Sequence, residues 1–148
     1  GGWNNNFSYK NWSFSFLVQF VKQQSRNYNY LMSSPGLMRN LPVEALNVWS
    51  AENADGQYMP YHTTASPLHS LFQMSDATVS DGSFIRLKNI QLTYRIPLEG
   101  KLIRDARIYF QGQNLYTWTK YFGMDPEFSS IGFLPPLKTY SFGMRINF

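Results

Sequence analysis

Hydrophobic and polar residues alternate along several parts of the chain, most clearly in residues 138–148. Tyr140, Phe142, Met144, Ile146 and Phe148 occupy every second position, and the positions between them hold Thr, Ser, Gly, Arg and Asn. A repeat of two residues is typical of a β-strand with one apolar and one polar face. The pattern therefore predicts a strand over residues 138–148.

Four earlier segments show the same alternation. The predicted strands cover residues 3–9, 12–21, 84–96 and 107–119. Lys10 and Asn11 separate the first two strands, which suits a two-residue β-hairpin. All five strands carry one apolar and one polar face, so the sequence predicts an all-β fold in which one face meets water and the other does not.

The alternation breaks at two places. Ile85 and Leu87 have the wrong parity for Ile90, so we expect either a β-bulge near Lys88 or the top of a strand that has left the membrane. A second shift follows Phe110, and we expect Gly112 to host a bulge that turns the next leucine, Leu115, to the apolar face.

The connections between the predicted strands differ in length. Residues 10–11 and 97–105 are the shorter ones, whereas 23–82 and 121–137 are longer. Transmembrane β-barrels have short periplasmic turns and long external loops. If the C-terminal end of the last strand is periplasmic, both long connections lie outside the cell. Within residues 23–82 we expect a short helix in 37–49 and turns at 55–56 and 81–82.

Aromatic residues lie near both ends of the predicted strands. Such rings are expected where the hydrocarbon of a membrane meets its headgroups. The residues expected near the periplasmic interface are Trp12, Tyr94 and Phe148. Those expected near the external interface are Tyr116, Trp118 and Tyr140.

Composition narrows the classes of protein that remain. Hydrophobic residues make up 43% and aromatic residues 18% of the 148, yet the mean hydropathy is −0.35. No apolar run approaches the roughly 20 residues of a membrane-spanning helix. The net charge of +4 comes without a dense basic tract, which argues against nucleic-acid binding. The absence of cysteine excludes disulfides and cysteine metal sites within these residues.

The extent of the chain suggests a piece of a longer protein. It begins Gly1-Gly2-Trp3, without a recognisable signal peptide. Five strands are too few to close even a small barrel, which needs about eight. We therefore expect further strands outside this sequence.

Residues with catalytic or metal-binding chemistry do not form a site in the sequence. His62 and His69 lack the additional ligands that zinc requires. Asp125 and Glu127 are separated only by a proline and do not suggest two carboxyls opposed across a sugar. No nucleophile, base and orienting group can be assembled. We predict no enzyme activity, no catalytic, metal or cofactor-binding residues, and no cofactor.

Three stretches resemble the SusC/RagA family of TonB-dependent outer-membrane transporters of Bacteroidetes. They are residues 81–94 (DGSFIRLKNIQLTY) followed by Pro97, residues 112–121 (GQNLYTWTKY) followed by Gly123 and by DPE at 125–127, and residues 135–143 (PPLKTYSFG) leading to Phe148. Their order and spacing are similar to the family's last strands. Residues 45–60 and 1–24 show a weaker likeness, and residues 58–77 match no part of the family that we can name.

The resemblance implies a fold and a function. Residues 1–148 are then the last five or so antiparallel strands of a barrel of about 22 strands, with 23–82 as a long extracellular loop and with the plug domain outside this sequence. The implied function is TonB-dependent import of glycan oligosaccharides or peptides across a Gram-negative outer membrane, under a SusD-like lipoprotein lid. The other implied partners are the TonB complex, the barrel-assembly machinery and outer-membrane lipid.

Three sets of residues are candidates for function within this fold. Side chains on the polar faces are expected to line the lumen: Asn89, Gln91, Thr93, Arg95, Arg107, Tyr109, Gln111, Gln113 and Arg145. The aromatic residues Trp49, Tyr58, Tyr61 and Phe72 either contact substrate or lid, or form a small core of the loop itself. An assembly signal, by resemblance to outer-membrane proteins in general, is expected in Phe142, Met144, Ile146 and Phe148.

The basic residues among the polar faces have two interpretations. Arg86, Lys88, Arg95, Arg107 and Arg145 favour acidic ligands, or they pair with carboxylates of the plug domain.

Two other classes of protein remain as alternatives. A soluble sugar-binding β-sandwich would bury its apolar faces against each other, so that Phe14, Leu92 and Phe142 would pack in a compact centre. A different large barrel, such as a siderophore receptor, is disfavoured by residues 81–89 and 113–115.

Overall fold

The computed structural model describes residues 1–98, 103–128 and 134–148. These residues fall into two compact units. The first, called the sheet unit here, comprises Gly1–Gln23, Ser83–Lys120 and Leu134–Phe148. The second, called the loop unit, comprises Gln24–Gly82 and the described residues from Tyr121 onward.

Five of the seven strands among the described residues agree closely with the predicted ones. In chain order they are β1 (Gly2–Tyr9), β2 (Trp12–Val21), β3 (Gln24–Arg26), β4 (Val79–Asp81), β5 (Phe84–Ile96), β6 (Asp105–Thr119) and β7 (Thr139–Asn147). The sheet unit is one five-stranded sheet in the order β1-β2-β5-β6-β7, with every neighbouring pair antiparallel. Tyr9 pairs with Trp12, which confirms the two-residue hairpin at Lys10 and Asn11.

The register aligns like residues across the sheet. One row is wholly apolar and consists of Phe7, Phe14, Leu92, Phe110 and Phe142. The next row is wholly polar and consists of Asn6, Ser15, Gln91, Gln111 and Ser141. Because side chains alternate between the faces of a strand, the two rows lie on opposite faces of the sheet.

The apolar face is exposed. The exposed fractions of Phe14, Leu92 and Phe142 are 37%, 38% and 77%. A β-sandwich requires these side chains to be buried between two sheets. The structure therefore disfavours the soluble sandwich. It leaves an exposed apolar surface whose contact with water is unfavourable.

A bulge at Lys88 corrects the parity of β5. Leu87 pairs with Val18 and Asn89 with Leu17, so that Lys88 is the extra residue of the bulge. The extra residue returns Ile85 and Leu87 to the apolar face. This confirms the bulge predicted from the sequence.

The bulge predicted at Gly112 lies instead at Asn114. Gly112 pairs regularly with Ile90 and with Tyr140, whereas Asn114 has a φ of 52° and interrupts the pairing of β6. A Cβ atom on Gly112 would lie 2.8 Å from Leu115 Cδ2. Leu115 therefore covers Gly112 on the apolar face, and a side chain at position 112 would have to displace the end of Leu115.

The conformation of Asn114 gives a first prediction. Asn114→Val is expected to destabilise the sheet by about 1–2 kcal/mol, because a left-handed backbone brings a Cβ close to the next carbonyl oxygen and a branched side chain tolerates it poorly. Asn114→Gly keeps the backbone accessible and is the matched control. Denaturant titration of the complete protein in lipid measures both. Equal stabilities of the two variants would contradict the assigned bulge.

The loop unit is built from short elements around a small core. Its helices are α1 (Tyr28–Leu31) and α2 (Pro67–Gln73), and 3₁₀ helices cover Val43–Leu46 and Asp76–Thr78. The helix expected in 37–49 is thus limited to one 3₁₀ turn, while β3, β4, α1 and α2 were not predicted. The core consists of Met32, Ala45, Val48 and Tyr58, with Leu41 and Phe72 packed against it.

No helix among the described residues is long and apolar enough to cross a membrane.

Candidate functional site

The nine residues predicted to line a lumen share one face of the sheet unit. The cross-strand pairs Gln91–Gln111 and Thr93–Tyr109 join β5 to β6, and Arg107–Arg145 joins β6 to β7. Asn89, Arg95 and Gln113 follow the same parity. The structure therefore brings all nine together on a polar surface, while its role as the wall of a lumen stays a prediction.

A broad depression lies on this polar face. It has an empty volume of about 1280 Å³, opens to solvent, and is lined by Ser13, Gln91, Thr93, Arg107, Tyr109, Gln111, Met144 and Arg145. Six of the eight lining residues carry an aliphatic hydroxyl, an amide or a guanidinium group. A seventh, Tyr109, adds the flat surface of its ring. Such a surface can bind polar groups by hydrogen bonds but offers little for an apolar ligand.

Tyr109 lies across the backbone of Gly143, its partner on β7. A Cβ atom on Gly143 would overlap the outer ring atoms of Tyr109. Glycine at 143 thus allows the ring to lie flat on the sheet. The sequence alone places Gly143 in a strand. Only the register shows that Tyr109 lies over it.

Three arginines form a row across the polar face. Arg95 pairs with Arg107, and Arg107 with Arg145. Asp105 lies beside this row: its Oδ1 is 2.7 Å from Arg95 Nε, and its Oδ2 is 2.7 Å from Arg107 Nε. Asp105 was not among the predicted site residues, although the strand period places it two residues before Arg107 and therefore on the same face.

Arg86 occupies a different environment on β5. It is only 1% exposed, and its Nε donates to Thr117 Oγ1 at 2.9 Å. Its guanidinium carbon lies 5.1 Å from the centroid of the Phe84 ring. Arg86 is therefore packed inside the sheet unit and is not a solvent-exposed cation.

The four aromatic candidates of the loop unit separate into two pairs. Tyr58 is 7% exposed and belongs to the core, and Phe72 packs against it. Trp49 and Tyr61 are 50% and 55% exposed, respectively. Tyr58 and Phe72 therefore belong to the small core of the loop, which was the second of the two roles considered for these four aromatic residues. Contact with substrate or lid stays a prediction, and Trp49 and Tyr61 are the residues with accessible rings.

The hydroxyl of Tyr58 gives a second prediction. It donates to Asn29 Oδ1 at 2.8 Å, and burial, together with the charge of Glu44, raises its pKa above the ordinary value. Tyr58→Phe is expected to destabilise the loop unit by about 1 kcal/mol through loss of this hydrogen bond. Hydrogen exchange of the Trp49 amide, which donates to Tyr58 O at 2.8 Å, measures the change.

The raised pKa of Tyr58 also predicts a pH dependence. A tyrosine whose pKa is higher in the folded state stabilises that state below its unfolded pKa of about 10, and this contribution is lost as pH rises through the folded pKa. Exchange in wild type should therefore accelerate above about pH 10 more steeply than in Tyr58→Phe, which cannot ionise there. Parallel profiles for the two proteins would contradict the assigned environment.

The side chains of His69 and Asp125 make hydrogen bonds to the backbone. His69 is 8% exposed, and its Nε2 lies 2.9 Å from the carbonyl oxygen of Met32. Asp125 Oδ1 accepts from the backbone N–H of Glu127 at 2.9 Å, which closes a turn. Within residues 1–98, 103–128 and 134–148, no three His, Cys, Asp or Glu side chains converge as metal ligands.

The proposed assembly residues lie exposed at the end of the chain. Phe142, Met144, Ile146 and Phe148 are 77%, 61%, 37% and 79% exposed. The first three project from the apolar face of β7, a strand that forms one edge of the sheet. Recognition of these residues by an assembly factor stays a prediction.

The sheet unit thus has the surface properties of a membrane-embedded β-sheet, with an exposed apolar face and a polar face that carries charges. Sheets of this kind occur in the outer-membrane transporters, whose strands contact lipid on one side and water on the other.

Comparisons with known proteins find similarity to TonB-dependent receptors. No protein-family model matches the chain. It is 29% identical to TonB-dependent receptor P3 of Formosa agariphila, across 99% of the chain and 16% of the receptor. It is 32% identical to TonB-dependent receptor P26 of the same organism, across 88% of the chain and 13% of that receptor. The chain therefore spans less than a fifth of these relatives.

Solved structures lead to the same class. The RagAB peptide importer in its open-open state matches 100% of the chain and 17% of its own, with a TM-score of 0.75 and 26% identity. The RagAB peptide transporter matches 94% of the chain and 16% of its own, with a TM-score of 0.72 and 28% identity. The chain is homologous, over nearly its whole length, to part of the SusC/RagA-like TonB-dependent receptors. These homologues are transporters and not enzymes.

Proposed function

We propose that this chain is part of the barrel of an outer-membrane transporter that imports nutrients in a TonB-dependent manner. The observation that carries the proposal is the continuous apolar row from Phe7 to Phe142 on an exposed face. In water this surface costs free energy in proportion to its area. In contact with lipid hydrocarbon it carries no such cost.

Both edges of the sheet support the presence of further strands. β1 and β7 each have one pairing neighbour among the described residues, and an open sheet edge does not occur in hydrocarbon because its N–H and C=O groups would be unpaired. We infer that strands outside this sequence pair with both edges and close a barrel of about 22 strands. The polar face then lines its lumen.

The loop unit is the part of the chain that would meet substrate and lid. It is formed by the two long connections, which are extracellular if the last strand ends in the periplasm, and its residues Trp49 and Tyr61 present aromatic rings suited to stacking on a sugar or packing against a protein. The cargo is a glycan oligosaccharide or a peptide, and the lid a SusD-like lipoprotein. The similarity to the RagAB peptide importer supports the peptide. TonB and the barrel-assembly machinery complete the proposed set of partners.

Deletion of the gene for the complete protein tests this function. The wild-type protein should fractionate with the outer membrane, and the deletion strain should lose growth on one class of glycan or peptide while retaining growth on free monosaccharides and amino acids. Removal of TonB should cause the same loss. Recovery of the wild-type protein as a monodisperse soluble monomer without detergent would contradict the proposal.

A further inference from the structure

The loop unit contains a polar depression of its own. It has an empty volume of about 870 Å³ and opens to solvent. Its lining residues lie on β3, α1 and α2 and on the segment that leads from α2 into β4: Arg26, Tyr30, Ser70, Gln73, Met74, Ser75, Thr78 and Val79. All eight lie outside the three stretches that carry the family resemblance. The depression is therefore not built from the motifs that this chain shares with the family.

Hydrogen bonds between the short elements hold the walls of the depression in place. Arg26 is the last residue of β3 and pairs with Val79, the first residue of β4. The Gln73 side chain joins α2 to α1, because its Nε2 donates to Tyr30 O at 3.1 Å. The walls are thus formed before a ligand arrives, which lowers the ordering cost of binding.

Arg26 supplies the one positive charge among the lining residues. Its guanidinium carbon lies 3.9 Å from the centroid of the Tyr30 ring, a distance at which a cation and a ring attract each other. The ring covers a face of the guanidinium and leaves N–H groups at its edge. Within the part of the chain that the structure describes, no carboxylate lies within 4.0 Å of Arg26. A ligand carboxylate would match this edge with two parallel hydrogen bonds.

Two further side chains of the lining present acceptors. Gln73 Nε2 donates to two backbone carbonyl oxygens at 3.1 and 3.3 Å, which leaves the side-chain Oε1 as an acceptor. The Ser75 hydroxyl donates to Phe72 O at 2.6 Å, so its proton is already used and its oxygen accepts. A ligand that fits must therefore bring a negative charge for Arg26 and donors for these oxygens.

A carboxylated sugar meets both requirements. Each sugar hydroxyl can donate to Gln73 Oε1 or to Ser75 Oγ. A peptide backbone brings as many C=O acceptors as N–H donors, and those acceptors would compete with the ligand's carboxylate for the N–H groups of Arg26. Met74 and Val79 are 84% and 43% exposed, and their apolar side chains can pack against the C–H groups of a sugar ring.

We propose that this depression binds a uronic acid unit of an imported glycan, with the carboxylate on Arg26 and ring hydroxyls on Gln73 and Ser75. The loop unit then selects acidic glycans before transport. This inference rests on the proposed function, because it takes the ligand to be a solute that the complete protein imports. Of the two cargo classes named above, it favours the glycan.

Isothermal titration calorimetry of the complete protein, extracted from the outer membrane in detergent, tests the ligand. The probes are oligomers of galacturonic, glucuronic and mannuronic acid, each paired with its uncharged methyl ester. Wild type is expected to bind at least one acid about tenfold or more tightly than its ester, because hydrogen bonds to charged groups are strong. Equal affinity for every acid and its ester, or no binding of any acid, would overturn the inference.

Removal of the cation tests the assignment to Arg26. Arg26→Gln should weaken binding of the acid by about tenfold or more and leave binding of the ester unchanged. Arg39→Gln, the same substitution at an exposed arginine outside the lining, should bind like wild type. Hydrogen exchange of the Trp49 amide at the wild-type rate verifies that the loop unit is folded in both. Full preference for the acid in Arg26→Gln would overturn the inference.

A second variant keeps Arg26 in place. Ser70 is exposed and lines the depression, so a substitution there does not alter the core. Ser70→Asp should weaken binding of the acid by about tenfold or more, because the new carboxylate occupies Arg26 and repels the ligand. Ser70→Asn, which adds the same bulk without charge, should keep the preference for the acid. Equal binding of the acid by these two variants would contradict the proposed site.

An acidic peptide is the competing occupant. Saturable binding of a glutamate-rich peptide that Arg26→Gln abolishes, without binding of the uronic acid oligomers, would overturn the inference. Localisation of wild type is scored first. Absence from the outer membrane counts against the proposed function. An outer-membrane protein that supports growth on a peptide or on a neutral glycan, but binds no uronic acid oligomer, counts against this inference alone.

Discussion

Arginine in place of Phe142 is expected to reduce the stability of the complete protein in lipid by about 2–4 kcal/mol, the cost of a cation on the lipid face near the middle of the bilayer. Phe142 is 77% exposed and ends the apolar row that contains Phe110 and Leu92. If lipid contacts this row, the charge has no water and no counter-ion nearby. Equilibrium folding into vesicles, followed by denaturant titration, measures the loss.

The adjacent residue supplies the matched control. Ser141 is on the same strand but belongs to the polar row, opposite Gln111. Ser141→Arg should change stability by no more than about 0.5 kcal/mol, as is usual for a solvated surface position. Ile146→Arg, closer to the end of β7, should fall between the two because the cost declines toward the interface. Similar losses at 141 and 142 would contradict the assignment of faces.

Alanine in place of Gly56 is expected to destabilise the loop unit by about 1–3 kcal/mol, the usual cost of forcing extra atoms into a packed site. A Cβ atom there would overlap backbone atoms of Val48 and Trp49. Val48 and Tyr58 form an isolated parallel β-bridge, in which Trp49 N–H donates to Tyr58 O at 2.8 Å and Tyr58 N–H donates to Asn47 O at 3.2 Å. The backbone must move to admit the methyl group, and the bridge weakens.

Hydrogen exchange of the Trp49 and Tyr58 amides measures this effect in the complete protein. Asp55→Ala, an exposed neighbour of Gly56, is the control and should exchange like wild type. The sheet unit should keep its protection in both variants, since the clash is confined to the loop unit. Slow exchange of both amides in Gly56→Ala would show that the close approach of Gly56 to Val48 is wrong.

The strands of the sheet unit were predictable because their signal is local. Alternation in Trp12–Val21 and Thr139–Asn147 is set by which face each residue occupies. The bulge at Lys88 was predictable for the same reason, since a change of parity requires an extra residue. The second bulge was placed wrongly because Asn114 has the left-handed conformation, while Gly112 keeps the regular register and lies beneath Leu115.

The loop unit could not be predicted because distant residues hold it together. Asn27 N–H donates to Thr78 O at 2.8 Å, and Tyr28 N–H donates to Phe122 O at 3.1 Å. The two long connections of the chain thus form one compact unit, and no short sequence pattern records such pairings. The same limit applies to Tyr58, whose burial depends on residues from Met32 to Phe72.

The arginine row could be predicted only in part. The alternation assigned each arginine to the polar face, and that assignment agrees with the register. Their alignment and the position of Asp105 depend on how β5, β6 and β7 pair, which is set by connection lengths and bulges together.

Spin-label accessibility tests the central claim most directly. Single cysteines carrying a nitroxide are placed at the apolar positions Phe14, Leu92 and Phe142 and at the polar positions Ser15, Gln91 and Ser141 of the complete protein in lipid. Electron paramagnetic resonance then compares relaxation by oxygen, which concentrates in hydrocarbon, with relaxation by a water-soluble nickel chelate. The account predicts that oxygen dominates at the first three positions and the chelate at the other three. Dominance of the chelate at positions 14, 92 and 142 would contradict it.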